Sequence, residues 1–363
     1  MRRHLLPFVL LVLVGISPTG TAASVEPGDV YLPDLRTVTP SDFHLVREGG
    51  TKLLLLSNTI WNGGDGPLEM RPEHDLEGAT TDAYQLLFTE TAEGSPQQIA
   101  ERYAGSFAFH KEHDHWHFQD LARYELFEMR RNGKVGRRLA FSEKISFCMF
   151  DQVQIDPTLE NARPDPLYSG NACDQNANVG YSVSWGDEYA YDFADQDVDV
   201  TGVRPGRYWV VSTADPEHLI SETDDTNNAA RVAIEIERDR ARRLSETRGS
   251  ICSPCGAATL VRGRRYTFEG TTSPTPMQGP MATEPVIRLS FKRAGAHRWR
   301  PMGRAGGPFA LTDGSHGSIG FDGSWSRAFT ARRAGTWVLR ARYRGDDVLS
   351  HSSAKVRVEV TKP

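Results

Sequence analysis

The chain has 363 residues, four of them cysteines, and a formal net charge of −5. A length of this order predicts about two domains. No segment is apolar for long enough to cross a bilayer as a helix, which excludes a helical integral membrane protein.

The N-terminus has the features of an export signal. Arg2 and Arg3 precede an apolar segment from Leu5 to Ile16, and small residues follow up to Ala23. This order of charge, apolar run and small residues is typical of a secretory signal peptide. We therefore expect residues 1–23 to be removed and the protein to be secreted, either extracellular or in the cell envelope.

Short β-prone segments dominate the rest of the chain. Gly, Pro, Asn and Asp separate them, and helical periodicity is scarce, which is typical of β-sandwiches. The pattern predicts an all-β protein, with a β-sandwich that has long loops followed by a second, immunoglobulin-like β-sandwich. The predicted strands are Lys52–Thr59, Arg123–Met129, Arg207–Ser212, Ala230–Ile236, Tyr266–Glu269, Val286–Lys292, Trp337–Tyr343 and Val356–Thr361.

A charged segment, Arg238–Ser250, shows no strand alternation and predicts a linker or a short exposed helix. We therefore expect a first domain over 24–237, a linker over 238–255 and a second domain over 256–363. The second domain has 18 Lys+Arg against 7 Asp+Glu, so the residues before it carry a net −16. An acidic first domain favours cationic substrates, and a basic second domain favours an anionic surface as partner. The opposite net charges of the two domains can also be explained simply by solvation of the two surfaces.

The four cysteines allow three full pairings, and an exported protein can form them. Cys252 and Cys255 are close enough to pair locally, which would leave Cys148 with Cys173. A redox Cys-x-x-Cys normally opens a helix in a βαβ unit, and no such unit is predicted here. A structural bridge is therefore preferred.

Four histidines fall within eight residues: His110, His113, His115 and His117. In a strand the last three share one face, about 6.6 Å apart, so their rings can converge on one metal ion. On a helix they could not meet. His110 is offset by an odd number and would face away unless the strand bends, so it is either a ligand or a helper.

The identity of the metal stays open at this point. Neutral imidazole suits Zn, Cu, Fe and Ni. A hydrolytic zinc site with an open position and a copper site in an oxidative enzyme both fit three histidines. The chain has no His-Glu-x-x-His, so a zinc metalloprotease lacks its usual support.

Five blocks, in order over roughly Leu32–Ile236, resemble the lysyl oxidase family. The family has a His-x-x-His-x-His-x-His run, then Lys-x-Ser-Phe-Cys, Asp-x-Tyr, a Pro-Gly-x-Tyr segment and Glu-x-Asp-x-Thr-Asn-Asn. The matching residues are His110 to His117, Lys144 to Cys148, Asp187 to Tyr189, Asp199 to Tyr208, and Asp215–Pro216 followed by Glu222 to Asn228.

The resemblance implies a copper amine oxidase. His113, His115 and His117 would hold copper, and Lys144 with Tyr189 would form the cofactor lysyl tyrosylquinone. Such an enzyme uses O2 to convert primary amines, either peptidyl lysine or small amines, to aldehydes, with release of ammonia and hydrogen peroxide. Asp187 is a candidate for the base that removes the α-proton, and a turn residue is the alternative interpretation.

The resemblance also implies a calcium site. Its residues are Asp34, Glu222, Asp224, Asn227 and Asn228, whose oxygens are the hard ligands that calcium prefers. A polar turn with side-chain hydrogen bonds to the backbone is the alternative.

The chain departs from animal members, which have cysteines where Glu112, Trp185 and Asp195 stand here. The family's disulfide framework is thus mostly missing apart from Cys148–Cys173, which puts collagen or elastin as substrates in doubt. Gly320–Trp325 and Ala341–Asp347 resemble the end of a bacterial immunoglobulin-like module, for which we expect a binding or spacing role rather than catalysis. For the chain as a whole we expect no nucleic acid as partner. The competing hypothesis for the whole chain is a non-catalytic secreted β-sandwich that binds metal or serves in adhesion.

Overall fold

The structure is a computed structural model that describes residues 30–73, 79–90, 96–111, 115–142, 145–174, 177–193, 196–252, 259–274, 286–303, 306–312, 317–319 and 322–363. Several residues with predicted roles lie outside the described residues. These are the signal segment 1–23, Glu112, His113, Lys144, Asp195 and Cys255.

The expected all-β class is confirmed. The described residues form 26 strands and one short 3-10 helix, Gly170–Asp174. Side-chain alternation explains this class in Gly206–Ala214, where Tyr208, Val210, Ser212 and Ala214 are buried and the residues between them are more exposed. No helix among the described residues is long and apolar enough to span a membrane.

Sixteen strands make up the first part of the chain. They are β1 (Leu35–Thr37), β2 (Ser41–Glu48), β3 (Thr51–Asn62), β4 (Leu68–Pro72), β5 (Thr80–Glu90), β6 (Pro96–His110), β7 (His115–Met129), β8 (Val135–Phe141), β9 (Ile145–Phe147), β10 (Val153–Gln154), β11 (Val179–Tyr181), β12 (Trp185–Tyr189), β13 (Asp197–Asp199), β14 (Gly206–Ala214), β15 (Ala229–Ile236) and β16 (Ala241–Arg243).

These strands form two sheets that share one hydrophobic core. The larger sheet has the order β11-β4-β5-β6-β7-β14-β15-β16, with β8 and β9 paired to β7. The smaller has the order β1-β3-β12-β10, with β2 and β13 paired to β3. Ile60 of the smaller sheet and Phe118 and Val210 of the larger belong to the same buried cluster. Strands β7 and β12 therefore face one another across the core.

The second part of the chain has ten strands. They are β17 (Glu246–Cys252), β18 (Thr259–Val261), β19 (Arg265–Ser273), β20 (Val286–Arg293), β21 (Arg300–Pro301), β22 (Phe309–Leu311), β23 (Gly317–Ser318), β24 (Ser324–Ala331), β25 (Gly335–Tyr343) and β26 (Ser352–Thr361). One sheet has the order β17-β19-β24-β22, and the other has the order β18-β26-β25-β20-β21 with β23 paired to β20. Phe268, Phe329 and Leu339 lie in the separate core of this sandwich.

The expectation that Arg238–Ser250 contains no strand, and the alternative of a short exposed helix, are wrong, because β16 and most of β17 lie there. Its role as a linker between two domains stays a prediction. Strand β16 extends the larger sheet beside β15, and β17 pairs with β19. Arg242 is only 6% exposed: one guanidinium nitrogen donates to Glu237 at 2.6 Å and another to the backbone oxygen of Asp346 at 2.9 Å. Arg242 is therefore paired inside the structure, whereas Arg238, Arg240 and Arg248 of the same segment are exposed.

The division of the chain into two domains remains a prediction, and truncation tests it. We expect a chain ending at Ser245 to fold alone, whereas one ending at Glu237 should lose about 2–4 kcal/mol because β16 no longer covers the edge of β15. Thermal unfolding of the two truncations measures this difference. Insolubility of the longer truncation, with full-length protein soluble, would contradict the two-domain division.

Candidate functional site

A cavity of about 340 Å³ lies between β7, β9 and β12. Three of the four clustered histidines line it, together with the serine of β9 and two side chains of β12. These residues are His110, His115, His117, Ser146, Asp187 and Tyr189. Residues from motif blocks far apart in sequence are therefore brought together at one place.

His115 and His117 occupy alternate positions at the start of β7, so both face the cavity. Their Nε2 atoms are 2.7 Å apart, and His117 is only 5% exposed. Two imidazole nitrogens that bind one ion at about 2.0–2.1 Å would lie about 3 Å apart. The two rings thus need little movement to share a metal.

His110 does not face away, because it does not belong to the same strand. It is the last residue of β6, directly opposite His115 in the β6–β7 pairing. Opposed residues of an antiparallel pair point to the same face. Its ring stacks on His117 with 4.3 Å between the centroids.

Ser146 joins two of these rings, and the sequence did not single it out. Its Oγ lies 3.4 Å from Nδ1 of His117 and 3.3 Å from Nε2 of His110. Strand β9 places it there by pairing with β7, with Phe147 opposite Phe118. The signal available beforehand was its place in the Lys-x-Ser-Phe-Cys block.

Tyr189 is held by its hydroxyl and by its ring. The backbone N–H of Cys148 donates to the hydroxyl oxygen at 2.7 Å, and Cys148 is fixed by the expected disulfide to Cys173. The ring contacts Phe147 at 3.9 Å between centroids and lies 6.4 Å from His117. Burial, and then the charge of Asp187, raise the pKa of the phenol, so it is neutral at physiological pH.

Asp187 lies within β12, two residues before Tyr189, and not in a turn. It is 1% exposed, and neither carboxylate oxygen has a hydrogen-bond partner among the described residues. Burial, and then the charge of Glu188, raise the pKa of this carboxyl well above its ordinary value. An unpaired, buried acid in a cavity is typical of a residue that transfers protons.

Two more buried polar groups lie near Asp187. Asn58 stands directly opposite Tyr189 in the β3–β12 pairing, and neither its amide nitrogen nor its oxygen has a hydrogen-bond partner among the described residues. The hydroxyl of Tyr181 is likewise buried without a partner there, and the charge of Asp187 helps to raise its pKa. Nothing in their local sequence indicated either residue.

The predicted metal set is described only in part. Its third histidine, His113, and the predicted quinone lysine, Lys144, lie outside the described residues. Among the residues that the structure does describe, no three His, Cys, Asp or Glu side chains have the arrangement of a metal site. Of the predicted copper ligands, the structure describes two, His115 and His117, and their rings converge.

The five residues of the predicted calcium site come together at the edge of the same sandwich. Asn227 Nδ2 lies 3.2 Å from Asp34 Oδ2 and 3.3 Å from Asp224 Oδ2, and Asn228 Nδ2 donates to Glu222 at 2.6 Å. Burial raises the pKa of Glu222 to about 7. The Oδ1 atoms of Asp34, Asn227 and Asn228 are buried without a partner among the described residues. Occupation by calcium stays a prediction that these oxygens support.

The comparisons with known proteins agree with these motifs. The lysyl oxidase family model matches residues 80–245. Protein-lysine 6-oxidases of Rattus norvegicus and Homo sapiens are each 31% identical to this chain over 143 residues, which is 39% of the chain and 31% of each relative. Lysyl oxidase homolog 1 of Homo sapiens is 27% identical over 39% of the chain and 22% of its own length.

The chain spans less than a third of the length of these relatives. Among solved structures, domains 4 and 5 of the S-layer protein SbsC align over 89% of this chain and all of that one, at 9% identity. The TM-score of 0.19 is too low for this alignment to bear on the fold. The segment with the histidines, Ser146, Asp187 and Tyr189 therefore lies within residues 80–245, which are similar to the lysyl oxidase family.

Proposed function

We propose that the chain is a copper-dependent amine oxidase that converts primary amines to aldehydes, with release of ammonia and hydrogen peroxide. The observation that carries the proposal is the convergence of His115 and His117 in the cavity that also contains the Tyr189 ring. Similarity of residues 80–245 to the lysyl oxidase family supports an oxidase. The names of the relatives suggest peptidyl lysine as substrate, and a small amine is the alternative.

The donor set fits the proposed groups. His113, His115 and His117 would hold copper, and Lys144 and Tyr189 would form lysyl tyrosylquinone. When bound, copper supplies the oxidation of the Tyr189 ring by O2, and the finished quinone supplies an electrophile for the amine. Ile145 and Ser146, which follow Lys144 in the chain, line the cavity.

The chain's own residues prepare the cavity for a cationic substrate with an aliphatic stem. Ile145, Phe150 and Phe193 line the cavity and can pack against methylene groups. Asp187 is the acid in the wall, and an incoming ammonium group would lower its pKa and favour the carboxylate. The carboxylate can then accept the α-proton of the substrate while Cys148 and Phe147 keep the Tyr189 ring in place.

Replacement of Asp187 by Asn is expected to lower amine-dependent peroxide production about 100-fold or more, because a positioned base contributes on that scale.

The same variant is expected to raise the unfolding temperature at neutral pH. Because burial raises the pKa of Asp187, folding stability falls as pH rises above the unfolded value of about 3.9. Asp187→Asn should therefore unfold at a higher temperature than the parent at neutral pH, with the difference vanishing in acid.

The matched control is Asp192→Asn, an exposed residue after the same strand, which should change neither property. A fully active Asp187→Asn protein would exclude this residue as the base.

Ser146 is expected to act through His117. A metal-binding histidine usually donates its other ring N–H to a neighbour, which fixes the tautomer, and loss of that neighbour costs about 10–100-fold in metal affinity. Ser146→Ala should weaken copper binding by this factor, as measured by competition with a chelator, while Ser146→Thr should retain it. Equal copper affinity in the alanine variant and the parent would contradict this role.

Intact mass of the copper-loaded protein tests the proposed function directly. A cross-link between the peptides that contain Lys144 and Tyr189, together with a positive quinone stain, is expected. Stoichiometric copper with no cross-link and no peroxide would instead favour a secreted metal-binding or adhesion protein. Recovery of the protein outside the cell is the corresponding test of secretion.

A further inference from the structure

A group of six cations covers one outer sheet face of the C-terminal sandwich. We call this surface the basic face, and its members are Arg288, Lys292, Arg340, Arg342, Lys355 and Arg357. The register of β20, β25 and β26 puts them side by side: Arg288 is opposite Arg342, Arg340 is opposite Lys355, and Val338 lies between Lys292 and Arg357.

The alternation of β25 explains why these cations share one face. Trp337, Leu339 and Ala341 point into the core, so Arg340 and Arg342 point outward. On the outer face of the other sheet the corresponding residues of β19 and β24 are mostly Thr and Ser, with Glu269 among them. Six of the eighteen cations of this half of the chain therefore lie together on one face, which also carries Glu359 two positions after Arg357.

The close spacing of the six cations lowers the stability of the folded chain. Like charges directly opposite one another on a sheet are destabilising. None of the six forms an ion pair with a carboxylate of the described residues. Burial, and then the charge of Arg342, lower the pKa of Arg340. An anion supplied from outside would relieve this repulsion.

We propose that the basic face binds a linear phosphodiester polymer through its backbone. The cations are about 5 Å apart across the strands and about 7 Å apart along them. A phosphodiester strand carries a charge at comparably short intervals, whereas anionic headgroups in a mixed bilayer are diluted by neutral lipids. Four of the six are arginines, whose planar guanidinium binds phosphate through two hydrogen bonds.

The aromatic residues near the basic face indicate that it would contact the backbone of the polymer and not any bases attached to it. Trp299 lies beside the face, but Arg340 and Lys292 already stack on its ring, at 4.2 and 5.3 Å from the centroid. Trp337 and Tyr343 of β25 point into the core. Among the described residues, this face therefore offers no free ring on which a base could stack.

The experiment measures binding of the full-length chain to an abasic deoxyribose phosphodiester oligomer at several salt concentrations. Six phosphate contacts predict a slope of log K against log salt of about −4. Arg342→Gln with Lys355→Gln should make the slope shallower by about 1.4 and weaken binding. The variant should not unfold at a lower temperature than the parent, because it removes like-charge repulsion.

The matched control is Arg248→Gln with Arg265→Gln, which removes the same formal charge from the other sheet. Unchanged slope in the control, and equal affinity for the abasic oligomer and the corresponding single-stranded DNA, would support the proposal. Equal weakening by both pairs would overturn it in favour of net charge alone. Tight binding to phosphatidylglycerol vesicles that the oligomer does not compete away would overturn it in favour of a membrane.

Discussion

Tyr189→Phe and Lys144→Arg are each expected to abolish amine-dependent peroxide production while the protein stays folded and binds copper. Phenylalanine lacks the oxygen that a quinone requires. Arginine keeps the positive charge of lysine but cannot supply an uncharged amine to an oxidised ring. The Tyr189 variant leaves the N–H of Cys148 without its acceptor, so we expect a loss of about 1–3 kcal/mol in unfolding free energy.

Peroxide release with a primary amine, quinone absorbance and bound copper are the three measurements. Tyr208→Phe is the matched control, because it also removes one hydroxyl, which donates to the backbone of Arg204 away from the cavity. The control should keep full activity. Substantial peroxide release from purified Lys144→Arg, blocked by a carbonyl reagent, would show that another residue forms the cofactor.

The second large effect concerns the metal. His117→Ala should remove most bound copper, because this ring is buried, converges with His115 and is positioned by Ser146. His115→Ala should have the same effect, and we predict it for His113 as well. The ring of His110 stacks on His117, and its Nε2 faces the Ser146 hydroxyl, so we expect His110 to be a neighbour of the metal site and not a ligand. His110→Ala should therefore retain much of the copper.

Metal analysis of the purified variants decides between these outcomes. His351→Ala in the C-terminal sandwich is the control and should bind as much copper as the parent, because this half-exposed ring lies in the other sandwich. Stoichiometric copper in His117→Ala would refute the site. Complete loss of copper in His110→Ala would make it a ligand.

Local patterns in the sequence determined the all-β class and the shared face of His115 and His117. Each of these depends only on the alternation of side chains along one strand, which a residue's neighbours in sequence already set. The motif blocks added Lys144, and the short spacing of Cys252 and Cys255 left Cys148 to pair with Cys173, a disulfide that is present in the structure.

Only the tertiary structure decided which faces meet. The β6–β7 pairing turned His110 toward the cavity, and the pairing of β9 with β7 brought Ser146 between two histidines. Packing of the two sheets left Asp187 buried and without a partner among the described residues, which raised its pKa. The register between strands also buried Arg242, in the segment predicted as a linker, and placed the six cations of the basic face side by side. Register and sheet packing depend on contacts between residues far apart in the chain, and alternation along a single strand carries no information about them.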